Sequence, residues 1–109
     1  MPEAEGRTVM LDDTFDALAS RQRRRVLVSL LDHNPQPDQL EGAIAEADGE
    51  NERIRAAMYH NHLPKLEARG FIRWDRNTHR IEKGPAFGQI RPLVELLDSH
   101  ASELPGAWP

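Results

Sequence analysis

One glycine separates two different hydrophobic patterns in this chain. Between Glu52 and Arg69, apolar residues recur every three or four positions, as on one side of a helix: Ala56, Tyr59, Leu63 and Leu66. Beyond Gly70 the period falls to two, because Ile72 and Trp74 alternate with charged residues. Ile81 resumes this alternation after the turn-like segment Arg76-Asn77-Thr78-His79. The pattern predicts a long helix that ends at Gly70 and leads into a two-stranded hairpin closed by Gly84-Pro85.

Pro64 is the defect in the predicted long helix. Proline removes one backbone donor and crowds the carbonyl of the residue four positions earlier, here His60. We therefore expect a kink or a break at this point.

Other capping and periodicity signals predict four more helices. The first is opened by Asp12-Asp13-Thr14 and has Leu11, Phe15 and Leu18 at helical spacing, and the second is capped by Ser20 and ended by Asn34-Pro35. The third runs from Asp38 to Ala47 and is ended by Gly49. The last runs from Gln89 to Glu103, with Pro92 in its first turn. The predicted fold class is mainly α with a small β-hairpin, that is, α+β.

The length of 109 residues predicts one domain. We expect a disordered tail over residues 1–10, a domain over 11–86, a C-terminal helix over 87–104 and a tail over 105–109. The chain has no cysteine, which excludes disulfides, thiolate metal sites and cysteine nucleophiles. It also has no apolar run of about 20 residues, and its acidic start is unlike a signal peptide, so we predict a cytoplasmic protein without membrane contact.

The charge is distributed unevenly along the chain. The formal net charge is −4, yet residues 53–91 carry nine basic and three acidic side chains, while both flanking segments are acidic. A local basic face on an acidic body is an electrostatic footprint for a polyanion. The marked preference for arginine over lysine, beside many acids, also suits a salt-rich cytoplasm.

The order of the elements is that of a winged helix–turn–helix domain, whose recognition helix enters the DNA major groove. The segment DDTFDALASRQRRRVLVSLL resembles the opening of ArsR-type regulators, and YHNHLPKLEARGFI is similar to their recognition helix. Together with IEKGP, the latter most resembles a small haloarchaeal winged-helix family of uncharacterised function. The resemblance implies DNA binding, with base contacts beside the His-Leu pair.

The histidines of the predicted recognition helix do not indicate a metal or catalytic site. His60 and His62 are two residues apart and so point to nearly opposite sides of a helix, whereas helical zinc pairs need a spacing of three or four. A metal site formed by a histidine pair across a dimer interface remains an alternative. No base lies beside Ser20 or Ser29, and no phosphate-binding loop occurs. We predict no enzyme activity, cofactor or resident metal.

A DNA-contacting surface is the functional prediction. Asparagine pairs with adenine, and lysine or histidine contacts guanine acceptors or phosphates. The candidate residues lie on the outward side of the recognition helix and around the hairpin tip: His60, Asn61, His62, Lys65, Arg69, Arg73, Arg76, His79 and Arg80. The alternatives are that His62 packs beside Leu66, that His60 is solvated, and that the hairpin charges protect a sheet edge.

Two neighbouring features have structural interpretations. In the basic run Arg21–Arg25, we predict a fold-supporting role for Arg23 or Arg24, with phosphate contact as the alternative and with Asp12, Asp13 and Asp16 as acidic partners. Trp74 shares the inward parity of Ile72, which predicts a core residue rather than a base-stacking platform.

The final helix carries an apolar stripe: Ile90, Leu93, Leu97 and Leu104, widened by Val94 and Leu96. This stripe predicts a homodimer formed through the C-terminal helix, with capping of the domain's own core as the alternative. Trp108, in the terminal tail, either folds back on the body or reaches a partner.

The leading hypothesis is a transcriptional regulator that binds double-stranded DNA through its recognition helix and basic wing. The rival is a winged-helix protein–protein interaction module without DNA binding, because a fold does not dictate a function. Sensing of pH or of a ligand through His60, His62 and His79 is a third hypothesis.

Overall fold

The computed structural model describes residues 9–37 and 51–109. The predicted third helix, with Asp38 and Gly49, lies outside these residues. The described elements, in chain order, are α1 (Leu11–Ala17), α2 (Arg21–Asp32), β1 (Gln36–Pro37), α3 (α-helical Asn51–Ala57, π-helical Met58–His62 and α-helical Leu63–Ala68), β2 (Ile72–Asp75), β3 (Arg80–Lys83), α4 (Phe87–Ser99) and a 3₁₀ turn (Ala101–Glu103).

The first helix begins slightly earlier than predicted. Met10 is its N-cap, and the Met10 amide donates to the Asp13 carboxylate at 3.0 Å, so Asp13 lies within the first turn instead of before it. Leu18 is buried, but Leu11 and Phe15 are 64% and 54% exposed, although they share its helical spacing. Helical spacing therefore did not identify the buried side of this short helix.

The second helix follows the prediction. The Ser20 hydroxyl caps it by accepting from the Arg23 amide, and the chain leaves the helix at His33, just before Asn34-Pro35. Val26, Leu27 and Leu30 are fully buried, while Leu31 packs against the core from a half-buried position.

The long helix continues through Pro64 without a break, and the expected distortion takes the form of a π-helical turn. One π-helical turn, Met58–His62, precedes Pro64, and the Leu63 amide donates to the Met58 carbonyl five residues earlier. A π turn places an extra residue in the helix and shifts the phase of all the side chains that follow it. Met58 is therefore buried above Leu63, whereas Ala56, predicted to face inward, is exposed.

The hairpin forms as predicted, but it belongs to a three-stranded antiparallel sheet with the order β1-β3-β2. In the hairpin Trp74 lies opposite Ile81, and the short strand β1 adds Gln36 opposite Ile81 on the other edge. The side chains of Trp74 and Ile81 both face the core, so Trp74 is a core residue, as predicted.

Two glycines allow the long helix to pass directly into the sheet. Gly70 has φ +80°, the left-handed conformation that ends helices and that other residues adopt at a cost. Gly84 lies against the same corner, where an added Cβ would come within 2.5 Å of the Gly70 carbonyl and 2.8 Å of the Ile72 backbone. The corner is closed by hydrogen bonds from Gly84 N to Phe71 O and from Ala86 N to Gly70 O.

The last helix starts at Phe87, the first residue of the predicted C-terminal segment 87–104 and two residues before Gln89, and its α-helical part ends at Ser99. Pro92 therefore lies in the second turn rather than the first. Ile90 and Val94 are fully buried in the domain's own core, and Leu93 and Leu97 pack against it, so most of the apolar stripe is used internally. Leu96 remains 55% exposed.

The C-terminal tail folds back on the body. The Trp108 indole N–H donates to the Asp98 carboxylate at 2.9 Å, and the Arg24 guanidinium lies 6.0 Å from the indole ring. At the other end, residues 1–8 of the predicted tail lie outside the described part of the chain, and Val9 packs against the core.

The architecture is α+β and winged-helix-like: helices α1 to α4 surround one core, and the sheet forms the wing. The α2 helix packs against α4 and against the π turn of α3, and the end of α3 packs on β2. Among residues 9–37 and 51–109, no helix combines the length and the apolar character that a membrane span requires.

Candidate nucleic-acid interface

The outer face of the wing carries both signs of charge. Strand alternation turns Ile72, Trp74 and Ile81 inward and leaves Arg73, Asp75, Arg80 and Glu82 exposed. The register places Arg73 opposite Glu82 and Asp75 opposite Arg80. Directly opposed side chains on one face of a sheet lie close enough to interact, so two cations here meet two acids.

The turn at the wing tip is fixed by local polar contacts. The Asp75 carboxylate accepts from the amides of Asn77, at 2.9 Å, and Thr78, at 3.3 Å, which builds an Asx-type turn. His79 closes the turn with φ 59°, a left-handed conformation that is uncommon for residues other than glycine. The turn thus holds the exposed imidazole and the exposed Arg80 at the end of the hairpin.

Arg76 links the wing to α3. Its guanidinium lies 3.9 Å from the centre of the Trp74 ring, within the range of a cation–π contact. It also forms an ion pair with Glu67 of α3, with a nitrogen–oxygen distance of 3.8 Å. Arg76 remains mostly exposed, so one edge of the guanidinium is available beside these two contacts.

A cleft of about 410 Å³ separates α3 from the wing. Its walls bring together the predicted site residues His60, Arg76 and His79, with aromatic and apolar surface from Tyr59, Pro64 and Trp74. The Tyr59 and Trp74 rings contact each other at a centroid distance of 5.6 Å. Asn61 is exposed beside His60 on the same turn. The helix–wing cleft is defined by its lining residues Tyr59, His60, Pro64, Trp74, Arg76 and His79.

A broader hollow of about 780 Å³ lies on the outer side of the wing. It is lined by cationic Arg73, Arg76 and Arg80 and by acidic Glu67, Asp75 and Glu82. The hollow is therefore mixed in charge, whereas the residues lining the helix–wing cleft are basic, aromatic or apolar.

His62 does not share the outward side of the helix with His60 and Asn61. Its Nδ1 atom lies 2.9 Å from Nη1 of Arg23, a side chain only 7% exposed on α2. Burial lowers the pKa of His62 below its ordinary 6.5, and the charges of Arg23 and Lys65 lower it further. His62 is therefore neutral at pH 7 and is held against the interior of the domain. This position is nearer to the packed side chain given as the alternative than to the predicted DNA contact.

Arg23 has the fold-supporting role that the sequence predicted. Its Nε atom donates to the Ala17 carbonyl at 3.1 Å, and its Nη2 donates to the Asp16 carbonyl at 2.8 Å. Arg24 likewise donates to the Leu18 carbonyl at 2.8 Å. Both arginines donate to carbonyl groups at the C-terminal end of α1, where the regular hydrogen bonds of a helix run out.

Lys65 and Arg69 face α1 rather than the outward edge predicted for them. Lys65 lies 3.0 Å from the Asp16 carboxylate, and Arg69 forms ion pairs with Asp13 and, at 3.4 Å, with Asp16. The hydrogen bond from Lys65 is the main cause that lowers the pKa of Asp16 below 3.8, and burial opposes it. The charges of Lys65, Arg23 and Arg69 lower that pKa further.

The predicted acidic partners of the Arg21–Arg25 run therefore pair mainly with a different helix. Asp13 and Asp16 are three residues apart on α1, and Lys65 and Arg69 are four apart on α3, so each pair occupies one side of its helix. These matched spacings are a signal in the sequence that was not used. The prediction also omitted Arg53, which is exposed one turn before the exposed Ala56 on α3.

The described residues contain no group of three or more histidine, aspartate or glutamate side chains arranged to hold a metal ion. His60 and His62 point in different directions, His60 into the helix–wing cleft and His62 toward Arg23. One ion cannot therefore bind both within this chain.

Comparison with known proteins gives a family but no activity. Residues 15–82 match a family described as a domain of unknown function, DUF7344. No curated protein matches the chain. No solved structure matches it either. Because the match extends from α1 through most of β3 and covers more than half of the 109 residues, the chain belongs to the DUF7344 family.

Proposed function

We propose that this protein is an ArsR-like transcriptional regulator that binds double-stranded DNA through α3 and the wing. The observation that carries the proposal is the helix–wing cleft, where exposed His60 of α3 adjoins Arg76 and His79 of the wing and Asn61 is exposed next to His60. In winged helix–turn–helix proteins, these two elements contact a DNA groove and the neighbouring backbone.

The exposed residues divide by chemistry into two roles. Asn61 presents an amide that pairs bidentately with adenine, and His60 presents ring nitrogens suited to base or phosphate contact. Arg73, Arg76, His79 and Arg80 are the phosphate-contacting groups of the wing, with Arg53 as an added cation on α3. Glu82 and Asp75 reduce the net attraction of the wing, so we expect weaker binding than the number of arginines suggests.

Lys65, Arg69 and His62 have a different place in the proposal. Lys65 and Arg69 are about one-third exposed, so they reach a phosphate only by giving up part of their pairing with Asp13 and Asp16. His62 acts through its contact with Arg23 rather than by touching DNA. Base recognition is therefore assigned to His60 and Asn61.

We propose that the protein is a cytoplasmic homodimer, since a palindromic site requires two recognition helices. The exposed Leu96 on α4 is the contact that supports a dimer through the C-terminal helix. Light scattering on a size-exclusion column should give twice the chain mass for the wild type and a lower mass for Leu96→Glu. An unchanged mass for this variant would move the interface away from α4.

An interaction module without DNA binding is the second candidate. Two features favour this candidate: the alternating charges on the outer face of the wing, and the acids that pair with Lys65, Arg69 and Arg76. Both interrupt the positive surface that α3 and the wing would otherwise present to DNA. A surface with both signs of charge is complementary to another protein surface of mixed charge. The two candidates differ in their response to salt and in which arginines matter.

The test is fluorescence polarisation with the duplex upstream of the protein's own gene, at about 50 mM and about 200 mM salt. DNA binding predicts that the logarithm of the affinity falls with the logarithm of salt, with a slope of about −0.9 per phosphate neutralised. The Arg73→Ala/Arg80→Ala double variant should reduce both the affinity and the slope.

The matched control is Arg91→Ala. Arg91 is an exposed arginine on α4 that pairs with Glu95 of the same helix and belongs to neither α3 nor the wing. It should bind DNA as the wild type does. Absence of binding at the lower salt concentration, or equal losses in the wing and control variants, would reject DNA binding by this surface and leave the interaction module.

A further inference from the structure

The contact between Arg23 and His62 joins α2 to α3. Arg23 belongs to α2 and is fixed by the Asp16 and Ala17 carbonyls at the end of α1. His62 is the last residue of the π turn, and the same turn contains His60 and Asn61. One hydrogen bond thus ties the turn that carries the proposed base-contacting residues to a fixed point in the core.

The chemistry of this bond defines the protonation state of the histidine. A guanidinium can only donate hydrogen bonds, so His62 Nδ1 must be the acceptor, and the ring proton must lie on Nε2. A protonated imidazole has a donor on both nitrogens. It would place an N–H against an N–H at 2.9 Å, with two positive charges in contact, and the bond could not persist.

We propose that Arg23 and His62 form a positioning pair, which holds the π turn of α3 so that His60 and Asn61 face DNA and which releases the turn when His62 becomes protonated. The proposal rests on the proposed function for its DNA consequence. The coupling of the turn to His62 protonation is a property of the free protein.

The surroundings of His62 set the direction of the pH effect. The charged groups facing it are Arg23 from α2 and Lys65 from its own helix, and both disfavour a protonated ring. The nearest acid in this network is Asp16 of α1, but Asp16 is already paired with Lys65 and Arg69 and also acts on Arg23. Burial is the largest cause of the lowered pKa of His62.

The sign of the stability effect follows from that lowered pKa. The unfolded chain binds a proton at His62 below about pH 6.5, while the folded chain does so only at lower pH. The contribution of His62 to stability is therefore complete above pH 6.5 and is lost as the pH falls toward the folded pKa. A cell or compartment that acidifies would loosen the π turn before the fold is lost.

The first test uses the free protein and needs no DNA. Nuclear magnetic resonance of the full chain, labelled with ¹⁵N, would follow the His62 ring and the backbone amides of Asn61 and Leu63 from about pH 8 to about pH 5. We expect the Nε2-protonated tautomer at high pH and a His62 midpoint below 6.5. The two amides should shift with that same midpoint.

Two variants separate positioning from ordinary structure. His62→Gln retains an acceptor for Arg23 but cannot be protonated, so the shifts that follow the His62 midpoint should disappear while the π turn persists. His33→Gln is the control, since it removes an exposed histidine at the end of α2 and should leave those shifts intact. A titration midpoint of His62 at or above pH 6.5 would overturn the proposal. So would amide chemical shifts of Asn61 and Leu63 that do not change with that midpoint.

The second test adds DNA at constant ionic strength. The ratio of dissociation constants at about pH 5.5 and about pH 7.5 should be at least about fivefold larger for the wild type than for His62→Gln. Histidines elsewhere contribute equally to both proteins and cancel in this comparison. Equal ratios would overturn the DNA consequence of the positioning pair. If neither protein binds DNA at either pH, the proposed function fails, and the amide shifts alone decide whether the pair controls the turn.

Discussion

The two long sides of α3 carry similar residue types in opposite situations. On the side facing α1 and α2, His62, Lys65 and Arg69 contact Arg23, Asp16 and Asp13. On the side facing the wing, His60 is exposed and borders the helix–wing cleft, and Asn61 is exposed next to it. The difference teaches that side chains of α3 are available to a partner where they are exposed, and not where another helix of the domain already pairs with them.

The α1 side stabilises the fold, and the wing side leaves groups available for a partner. Buried or half-buried ion pairs are costly to break because one charge is left without its partner. Exposed charges contribute little to stability but act on an approaching polyanion. The following predictions test this division of roles, beginning with the largest expected effect.

Removing Arg23 should destabilise the domain far more than removing Arg73. Arg23→Ala leaves the buried Ala17 carbonyl and the half-buried His62 ring without their donor and removes one of the donors to the Asp16 carbonyl, which should cost on the order of 2–4 kcal/mol. Arg73→Ala changes an exposed strand position and should cost about 0.5 kcal/mol or less. Urea unfolding monitored by circular dichroism measures both. Equal costs would contradict the proposed division between the two sides.

Neutralising the acids of α1 should make the side of α3 that faces α1 available to DNA, like the side that faces the wing. In an Asp13→Asn/Asp16→Asn variant, Lys65 and Arg69 lose their carboxylate partners and become available to phosphates. We expect tighter DNA binding and a salt slope steeper by about 0.9 for each phosphate gained. Asp12→Asn, an exposed change on the same helix, is the control. A variant that binds no better than this control would show that α1 does not mask the two cations.

The same acids predict the response of stability to low pH. The pKa of Asp16 is held below 3.8 by the hydrogen bond from Lys65, so its stabilising contribution is present above that value and is lost as the pH falls through the folded pKa. The decline in the urea midpoint between about pH 4 and about pH 2 should therefore be shallower for Asp16→Asn than for the wild type. Parallel curves would show that Asp16 does not contribute in this way.

The smallest expected effect is at the wing tip. His79 has φ 59°, a conformation that asparagine tolerates and β-branched residues do not. His79→Asn should change the free energy of unfolding by less than about 0.5 kcal/mol, whereas His79→Val should cost about 1 kcal/mol. Equal stabilities for the two variants would indicate that the turn adopts another conformation in solution.

The elements with regular patterns were predictable from sequence. The change of period at Gly70 predicted the end of the long helix and the hairpin, because alternation and helical spacing depend only on which side of an element is buried. Ser20 and Asn34-Pro35 predicted the bounds of α2. Strand β1 was missed because two residues, one of them proline, carry no periodic signal.

The orientation of the candidate site was harder to predict because it depends on a local defect and on long-range pairing. The π turn before Pro64 changes the phase of α3, so Met58 is buried in place of Ala56, and no pattern in the sequence requires that particular solution. The pairing of Lys65 and Arg69 with α1 also needs the tertiary arrangement of two helices. The register that sets Glu82 against Arg73 could be inferred only after the strand bounds were known.

The most direct test of DNA binding by the wing side is chemical-shift mapping of the ¹⁵N-labelled protein during titration with the upstream duplex. The account predicts that the largest amide perturbations fall on His60, Asn61 and the wing segment Arg73–Arg80, with little change in α4. Perturbations confined to α1 or α4, or none at protein concentrations where the duplex remains soluble, would contradict it.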